Sequence, residues 1–270
     1  MIDAKEALGS RDVLFVTFDT LRFDVAERAM RQGQTPTLAR LLPGGRWEKR
    51  HSPGSFTYSA HHAFFAGFLP TPSQPGTHER LFALRFPGSE TCGPRTCVFD
   101  ASNIIDGFAQ AGYHTACVGG VGFFNKLTPL GCVLPSLFAE SHWRRDLGVT
   151  IKESPANQFA CALKLIDAQP LDRRLFVFVN LSAMHRPNSH YLPGATRDTP
   201  ETQGAALAAV DVALADFVSR ITQRDWLCVF CSDHGEAYGE DDYAGHRLAH
   251  EVVWTVPYAE FLLGTAKESN

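Results

Sequence analysis

Val13 to Asp24 reads VLFVTFDTLRFD. Its opening residues are apolar, aromatic or β-branched, with no polar residue spaced to face water, and the run stops at an acid, Asp19. A short run of this kind predicts a strand buried on both faces, with Asp19 delivered at its carboxyl end. Two later stretches repeat the pattern. Leu175 to Leu181 (LFVFVNL) leads into a loop with His185, and Trp226 to Cys231 (WLCVFC) leads at once into SDHGE, which contains Asp233 and His234. Weaker strand signals cover Trp47 to Ser52, His114 to Val118, and Glu251 to Leu263, the last broken by Pro257.

Helical patterns lie between these runs: Asp24 to Gln32, a segment capped at Thr35-Pro36 and ended by Pro43-Gly44-Gly45, then Ile104 to Ala111, Ser154 to Ala168 and Gly204 to Thr222. Residues 69–94, rich in Pro, Gly and Thr, read as a long surface loop, and so do residues 185–202. Strands alternating with helices predict an α/β fold whose mostly parallel sheet is sandwiched between helices. In such sheets functional groups collect beyond the carboxyl ends of the strands. Asp19, His185 and Asp233-His234 are therefore expected along one edge.

The 270 residues, 44% of them hydrophobic, are enough for one large domain or at most two small ones. A net charge of -4 with no basic block makes nucleic acid a poor partner. No segment approaches the roughly eighteen consecutive apolar residues of a membrane span, and the N-terminal MIDAKEALGSR lacks an apolar signal-peptide run. The expectation is a soluble cytoplasmic protein with no membrane partner. The seven cysteines do not suggest a disulfide framework. Cys228 and Cys231 form a CxxC, yet on a strand an odd offset sends their side chains to opposite faces, so both read as core residues rather than a redox or zinc pair.

Several side chains have the chemistry of a site, each with a plainer alternative. Asp233-His234 offers an oxygen and a nitrogen donor side by side, suited to a divalent ion; alone, the pair also suits a turn. The wider string SDHGEAYGEDDYAGH adds carboxylates and a second His with almost no apolar side chain to pack. Asp19 is a strand-tip ligand or a helix cap, with Asp24 the better cap. Thr57, in GSFTYSAHHAFFAG, stands just ahead of a helical pattern, where free N–H groups and the helix dipole favour an alkoxide and bind phosphate. The same place suits an N-cap, a role Ser59 could also fill. His61 and His62 follow within a turn. His185, His190, His246 and His250 complete the set, and His246 and His250 would share a face if helical.

Read together, these strings resemble the alkaline phosphatase superfamily, and its sulfatase-like branch in particular. VLFVTFDTLRFD resembles the first strand with its metal-binding acid and the DxLRxD string. TPTLARLLPGG resembles the TPNLDRLA-x-G helix, and SPGSFTYSAHHAFFAGFLP the nucleophile segment (C/T/S)xPSxASLxTGxxP, which sets Thr57 at the nucleophile and Gly67 at the family glycine. AGYHTACVGG resembles AGYxTxxxGK, NLSAMHRPNSHY the LHxPHxPY loop, SDHGEAYGE the SDHGExxGE ligand loop, and GHRLAHEVVWTVPY the GHxxxxYExxxxVPL ending. The strings follow the family order along nearly the whole chain.

The resemblance implies a single alkaline phosphatase-like catalytic domain over residues 1–270, without the usual C-terminal sulfatase subdomain. It implies a metal-dependent hydrolase or transferase of phosphate mono- or diesters working through a phospho-threonine. Asp19, Thr57, Asp233 and His234 would hold one divalent cation. Oxygens with a single imidazole suit zinc, or manganese, better than calcium; a second metal, drawn from the remaining histidines, is open. Thr57, His185 and His246 would be catalytic, and His61, Lys126, His190 and His250 would bind the substrate, a small phosphate or sulfate ester. Thr at the nucleophile, with SDHGE and the later His246, looks most like phosphoethanolamine transferases and lipoteichoic acid synthases, with His185 or His190 at their SHGP-type histidine. Sulfatases need Cys or Ser within CxPxR to make formylglycine, and here Thr57, Ser59 and His61 stand at the Cys, Pro and Arg positions. Gly120 replaces the family lysine. The alternatives are a sulfatase or phosphonate hydrolase using unmodified Thr57, and an inactive metal-binding member.

Overall fold

The computed structural model describes residues 2–67 and 102–264; the stretch 69–94, expected as a surface loop, lies outside them. The strands are β1 (Asp12–Phe18), β2 (Glu48–His51), β3 (His114–Val118), β4 (Glu140–His142), β5 (Leu175–Leu181), β6 (Trp226–Cys231), β7 (Ala237–Tyr238), β8 (Ala244–Gly245) and β9 (Thr255–Leu263). The helices are α1 (Ala4–Ala7), α2 (Phe23–Arg31), α3 (Pro36–Leu41), α4 (Thr57–Ala66), α5 (Ile104–Gln110), α6 (Pro129–Val133), α7 (Ser154–Asp167), α8 (Pro200–Ile221) and α9 (Glu251–Trp254). Seven strands form one sheet in the order β2-β9-β6-β1-β5-β3-β4. β1 pairs parallel with both β5 and β6, and β3 parallel with β5 and β4. Only β9 runs antiparallel, between β6 and β2. β7 and β8 make a separate two-stranded hairpin.

The apolar runs explain the layering. Their side chains alternate between two cores because the strand period is two. Leu14, Val16 and Phe18 of β1, with Val177 and Val179 of β5, join the core under α2, α3, α7 and α8, whereas Val13, Phe176 and Phe178 join a second, aromatic core on the other face. In that second core Phe178 meets Phe15, Phe65 and Phe124 at ring separations of 5.5, 5.2 and 5.5 Å. Burial of each such ring is worth about 1.5–3 kcal/mol. Both faces are covered, as a parallel sheet requires.

Four local expectations are corrected. α8 starts at Pro200, inside the stretch read as loop, because Thr199 caps it through a reciprocal bond pattern with Thr202. β9 continues through Pro257, whose carbonyl accepts the Ser232 N–H at 3.0 Å, so the proline removes at most one ladder bond. Asp24 does not cap α2; Arg22 is the N-cap residue and Asp24 accepts from its Nε and Nη2, both at 2.8 Å. Likewise the Thr35 side chain caps nothing, and the N–H groups of Thr37 and Leu38 donate instead to the buried Asp211 carboxylate of α8. The two CxxC thiols are free and buried on β6, and burial raises their pKa. They are core residues.

Candidate active site

The central parallel strands deliver their polar ends to one place. Asp19 follows β1 and extends its ladder, its N–H donating to Leu181 O of β5 at 3.1 Å. Asp233 and His234 follow β6, the strand on the other side of β1. One donor atom from each of Asp19, Asp233 and His234 lies within 4.8 Å of the others, and among the described residues this is the one such cluster. All three are fully buried. Thr57 comes from the start of α4: its hydroxyl is 3.4 Å from Asp19 Oδ2 and 3.3 Å from His234 Nε2. Thr57 is not a cap. Phe56 holds the N-cap position without any side-chain bond, and Ser59 Oγ donates back to Phe56 O.

The donors are held in place from behind. Asn180, the one amide in β5, donates from Nδ2 to Asp19 Oδ2 at 3.0 Å and to Thr17 Oγ1 at 3.2 Å. Asp233 Oδ1 accepts the N–H of His234 and that of Thr20. Thr20 pays for this with φ 62°, a rare conformation for a β-branched residue. His234 Nδ1 donates to Gly235 O at 2.9 Å, which leaves Nε2 as the lone-pair nitrogen facing Thr57. Arg22, only 5% exposed, spans from the β1 tip to the ligand loop, pairing with Glu240 and donating to Glu236 O at 3.4 Å.

The electrostatics call for a cation. Asp19 Oδ1 and Asp233 Oδ2 are buried without a hydrogen-bond partner. Burial raises the Asp233 carboxyl to about 6. Burial, and then the charge of Asp233, also raise Asp19. Burial pushes His234 down to about 4, so it is a neutral donor at ordinary pH. Two buried carboxylates with orphaned oxygens beside a neutral imidazole fit a divalent ion, which would remove the unfavourable charge.

His246 and His185 stand beside this cluster. The His246 ring centroid is 4.5 Å from that of His234 and 5.9 Å from that of His185. Glu236, 1% exposed, accepts from His246 Nδ1 at 2.8 Å and forms an ion pair with Arg186 at 2.8 Å. Burial opposes the charged form of His246, but the hydrogen bond and charge of Glu236 outweigh it and raise the pKa. Both His185 and His246 line the open cleft next to Thr57.

The other expected substrate contacts are placed elsewhere. His61 is fully buried beneath the site, with Nδ1 on Thr57 O at 2.7 Å and Nε2 on Thr17 Oγ1 at 3.1 Å, and burial lowers its pKa to about 3. It is a floor residue. Its neighbour His62 is buried against the Tyr58 ring. His190 packs tilted against the Tyr191 ring at 4.4 Å, among charges of Lys152, Asp198 and Glu153. His250 caps α9 and bonds Asp241, and the segment joining it to His246 is not helical, so the two do not share a helix face. Lys126 Nζ donates to Ser141 O and Oγ, both at 3.1 Å. Gly120 stands where the family carries its lysine. Gly120 has no room for one: a Cβ there would lie 2.4 Å from Asn180 O and 2.8 Å from Ser182 Cβ. Asn180, Glu236, Arg22 and Arg186 were missed in the sequence. Asn180 carried a usable signal, a single amide inside an otherwise apolar strand.

A mostly parallel sheet with this donor set at its edge defines the alkaline phosphatase/sulfatase superfamily. The family model described as Sulfatase matches residues 11–259, and the chain belongs to that family. No curated protein matches the sequence. Among solved structures, the C-terminal periplasmic domain of phosphoethanolamine transferase EptC from Campylobacter jejuni is 14% identical with a TM-score of 0.61, over 94% of this chain and 79% of that one. The lipoteichoic acid synthase LtaP from Listeria monocytogenes is 15% identical with a TM-score of 0.61, over 97% and 67%. A zinc complex of the C-terminal periplasmic domain of EcEptC from Escherichia coli is 11% identical with a TM-score of 0.61, over 94% and 73%. These likenesses show the fold. Superfamily members are transferases and hydrolases. Among the described residues, no helix is long and apolar enough to cross a membrane.

Proposed function

We propose that this chain is a metal-dependent hydrolase or transferase of phosphate mono- or diesters, with Thr57 as its nucleophile. One observation carries the reading. The Thr57 hydroxyl sits 3.3 and 3.4 Å from two members of a buried Asp-Asp-His set that has orphaned carboxylate oxygens. Asp19, Asp233, His234 and Thr57 would hold zinc, or manganese, since oxygens with one imidazole suit these ions. Bound there, the ion would lower the pKa of the Thr57 hydroxyl and polarise the phosphoryl group.

The protein's own groups account for the rest. Deprotonated Thr57 Oγ forms a bond to phosphorus as the bond from phosphorus to the ester oxygen breaks, and its position on the first turn of α4 favours the negative charge. His246, oriented through Nδ1 by Glu236, gives a proton from Nε2 to the departing oxygen. Water, or an alcohol in a transferase, then attacks the phospho-threonine and gives its proton to His246 as the bond from phosphorus to Thr57 Oγ breaks, which restores the Thr57 alkoxide and the protonated His246 of the starting state. His185, which also lines the cleft, supports the equatorial oxygens, where charge spreads in the transition state.

The family name also raises sulfate esters. Oxidising the Cβ of threonine yields a ketone, so Thr57 cannot supply a formylglycine aldehyde, and His61, at the family arginine position, is buried in the floor. Phosphate is therefore the better reading. The test uses zinc-loaded protein with p-nitrophenyl phosphate, bis-p-nitrophenyl phosphate and p-nitrophenyl sulfate. Turnover is expected on a phosphate ester, with a loss of at least about 10³-fold in Thr57→Ala. Undiminished turnover in that variant would remove Thr57 as nucleophile. Sulfate as the preferred ester would favour the other reading, and zinc binding without turnover the inactive member.

A further inference from the structure

Next to Thr57 the sheet edge opens into a cleft of about 410 Å³, large enough for a small organic group. Thr57, His185 and His246 form one end. Among the described residues the remaining wall comes from a single stretch, residues 121–131, with Val121, Phe123 and Leu130 apolar and Asn125 and Thr128 uncharged. Among the described residues no lysine or arginine lines the cleft. Of the cations next in sequence to lining residues, Lys126 bonds Ser141 and Arg186 pairs with Glu236, and Arg247, beside His246, is exposed and does not line the cleft.

This wall is closed on itself. Asn125 Oδ1 accepts from Leu127 N at 2.9 Å, Thr128 Oγ1 accepts from Gly131 N at 3.0 Å, and Lys126 N donates to Gly131 O at 3.2 Å. A Cβ on Gly131 would lie 2.4 Å from Asn125 Oδ1 and 2.9 Å from Gly122 O, so the turn leaves no slack. Phe123 is fixed against the rings of Tyr58 and Phe56 at 5.4 and 6.3 Å. Leu127, in the same stretch, is 70% exposed.

With the phosphoryl group at the Thr57 end, the wall faces the part of the ester that is not attacked. We propose that the 121–131 wall selects esters whose remaining group is uncharged and apolar, an alkyl or aryl chain, over esters with a second anionic group there. The inference rests on the phosphoryl reading of Thr57. A carboxylate against Phe123 and Leu130 would give up water without gaining a cationic partner, whereas each methylene buried there gains about fourfold in affinity.

The experiment measures binding to the zinc-loaded protein, by displacement of inorganic phosphate, of methylphosphonate, hexylphosphonate and the ω-carboxylate analogue of hexylphosphonate with the same chain length. Their phosphorus–carbon bonds are not esters, so binding is read apart from turnover. Hexylphosphonate should bind at least about tenfold more tightly than either of the others. Leu130→Lys should reverse the order of the two long ligands, and Phe123→Lys serves if the first variant does not fold. Equal binding of the hexyl and carboxylate ligands would overturn the inference while leaving the phosphoryl site standing. If no phosphonate displaces phosphate, the Thr57 reading fails and the inference with it.

Discussion

A buried carboxyl whose pKa stands above its unfolded value costs stability once it ionises. Asp233 is raised by burial to about 6 from an ordinary 3.8. Between those values the folded chain binds the extra proton, so its metal-free stability from this group falls as pH rises through the window. Buried histidines such as His234, lowered by burial to about 4, act in the opposite sense, losing stability as pH falls from the ordinary 6.5. The metal linkage separates the two. At a pH near 5, zinc must displace protons from Asp19 and Asp233, and above about 7 it displaces almost none from these carboxyls, leaving only the Thr57 proton to be released. Calorimetry in buffers of different ionisation enthalpy should show proton release on zinc binding that fades across this range; release independent of pH would contradict the assignment. Asp233→Asn should abolish zinc binding and, above neutral pH, raise the metal-free Tm by at least about 2 °C by removing an uncompensated charge. Unchanged zinc stoichiometry would remove Asp233 from the ligand set. Glu236→Gln should lower kcat at least about tenfold with little change in zinc affinity, since its carboxylate touches His246 and Arg186 rather than a proposed metal donor. An unaffected kcat would rule out the orienting role.

The start of α3 is decided by a partner far away in the chain, and Arg22, before α2, pairs both locally and at long range. α3 takes its N-terminal acceptor from Asp211 of α8, and Arg22 at the start of α2 is spent on Asp24 and Glu240. Asp211→Ala leaves two buried N–H groups without acceptors and should cost about 2–4 kcal/mol, read as a lower urea midpoint at constant slope. A shift under about 0.5 kcal/mol would mean that water replaces the carboxylate. The same dependence marks what the sequence could carry at this scale. β1, β5 and β6 were legible because strands buried on both faces have to be apolar throughout. The caps at Thr35 and Asp24 were misread because local capping rules say nothing of a carboxylate arriving from α8. His246 and His250 were paired on a helical spacing that the backbone there does not have.

At the scale of the molecule, the sheet order brings together what the chain keeps far apart. β1 lies between β5 and β6, so Asp19, Asn180 and Asp233 meet at one edge, and α4 adds Thr57. The proposed donors Asp19, Asp233 and His234 stood out in the sequence because they come just past apolar runs. Asn180 and Glu236 behind them, and the cleft wall beside them, depend on packing across the edge and left only faint traces. The histidines divided for the same reason: residue type alone could not tell His185 and His246, on the cleft, from His61 in the floor. The claim joining these scales is that a threonine hydroxyl attacks the phosphoryl group from this edge. It is tested most directly by mixing the zinc-loaded protein with a phosphoryl-labelled p-nitrophenyl ester, quenching in acid within a turnover, and mapping the labelled peptides. The label should be found as phosphothreonine at position 57 and be absent in Thr57→Ala; rapid turnover with label on another residue, or on none, would contradict it.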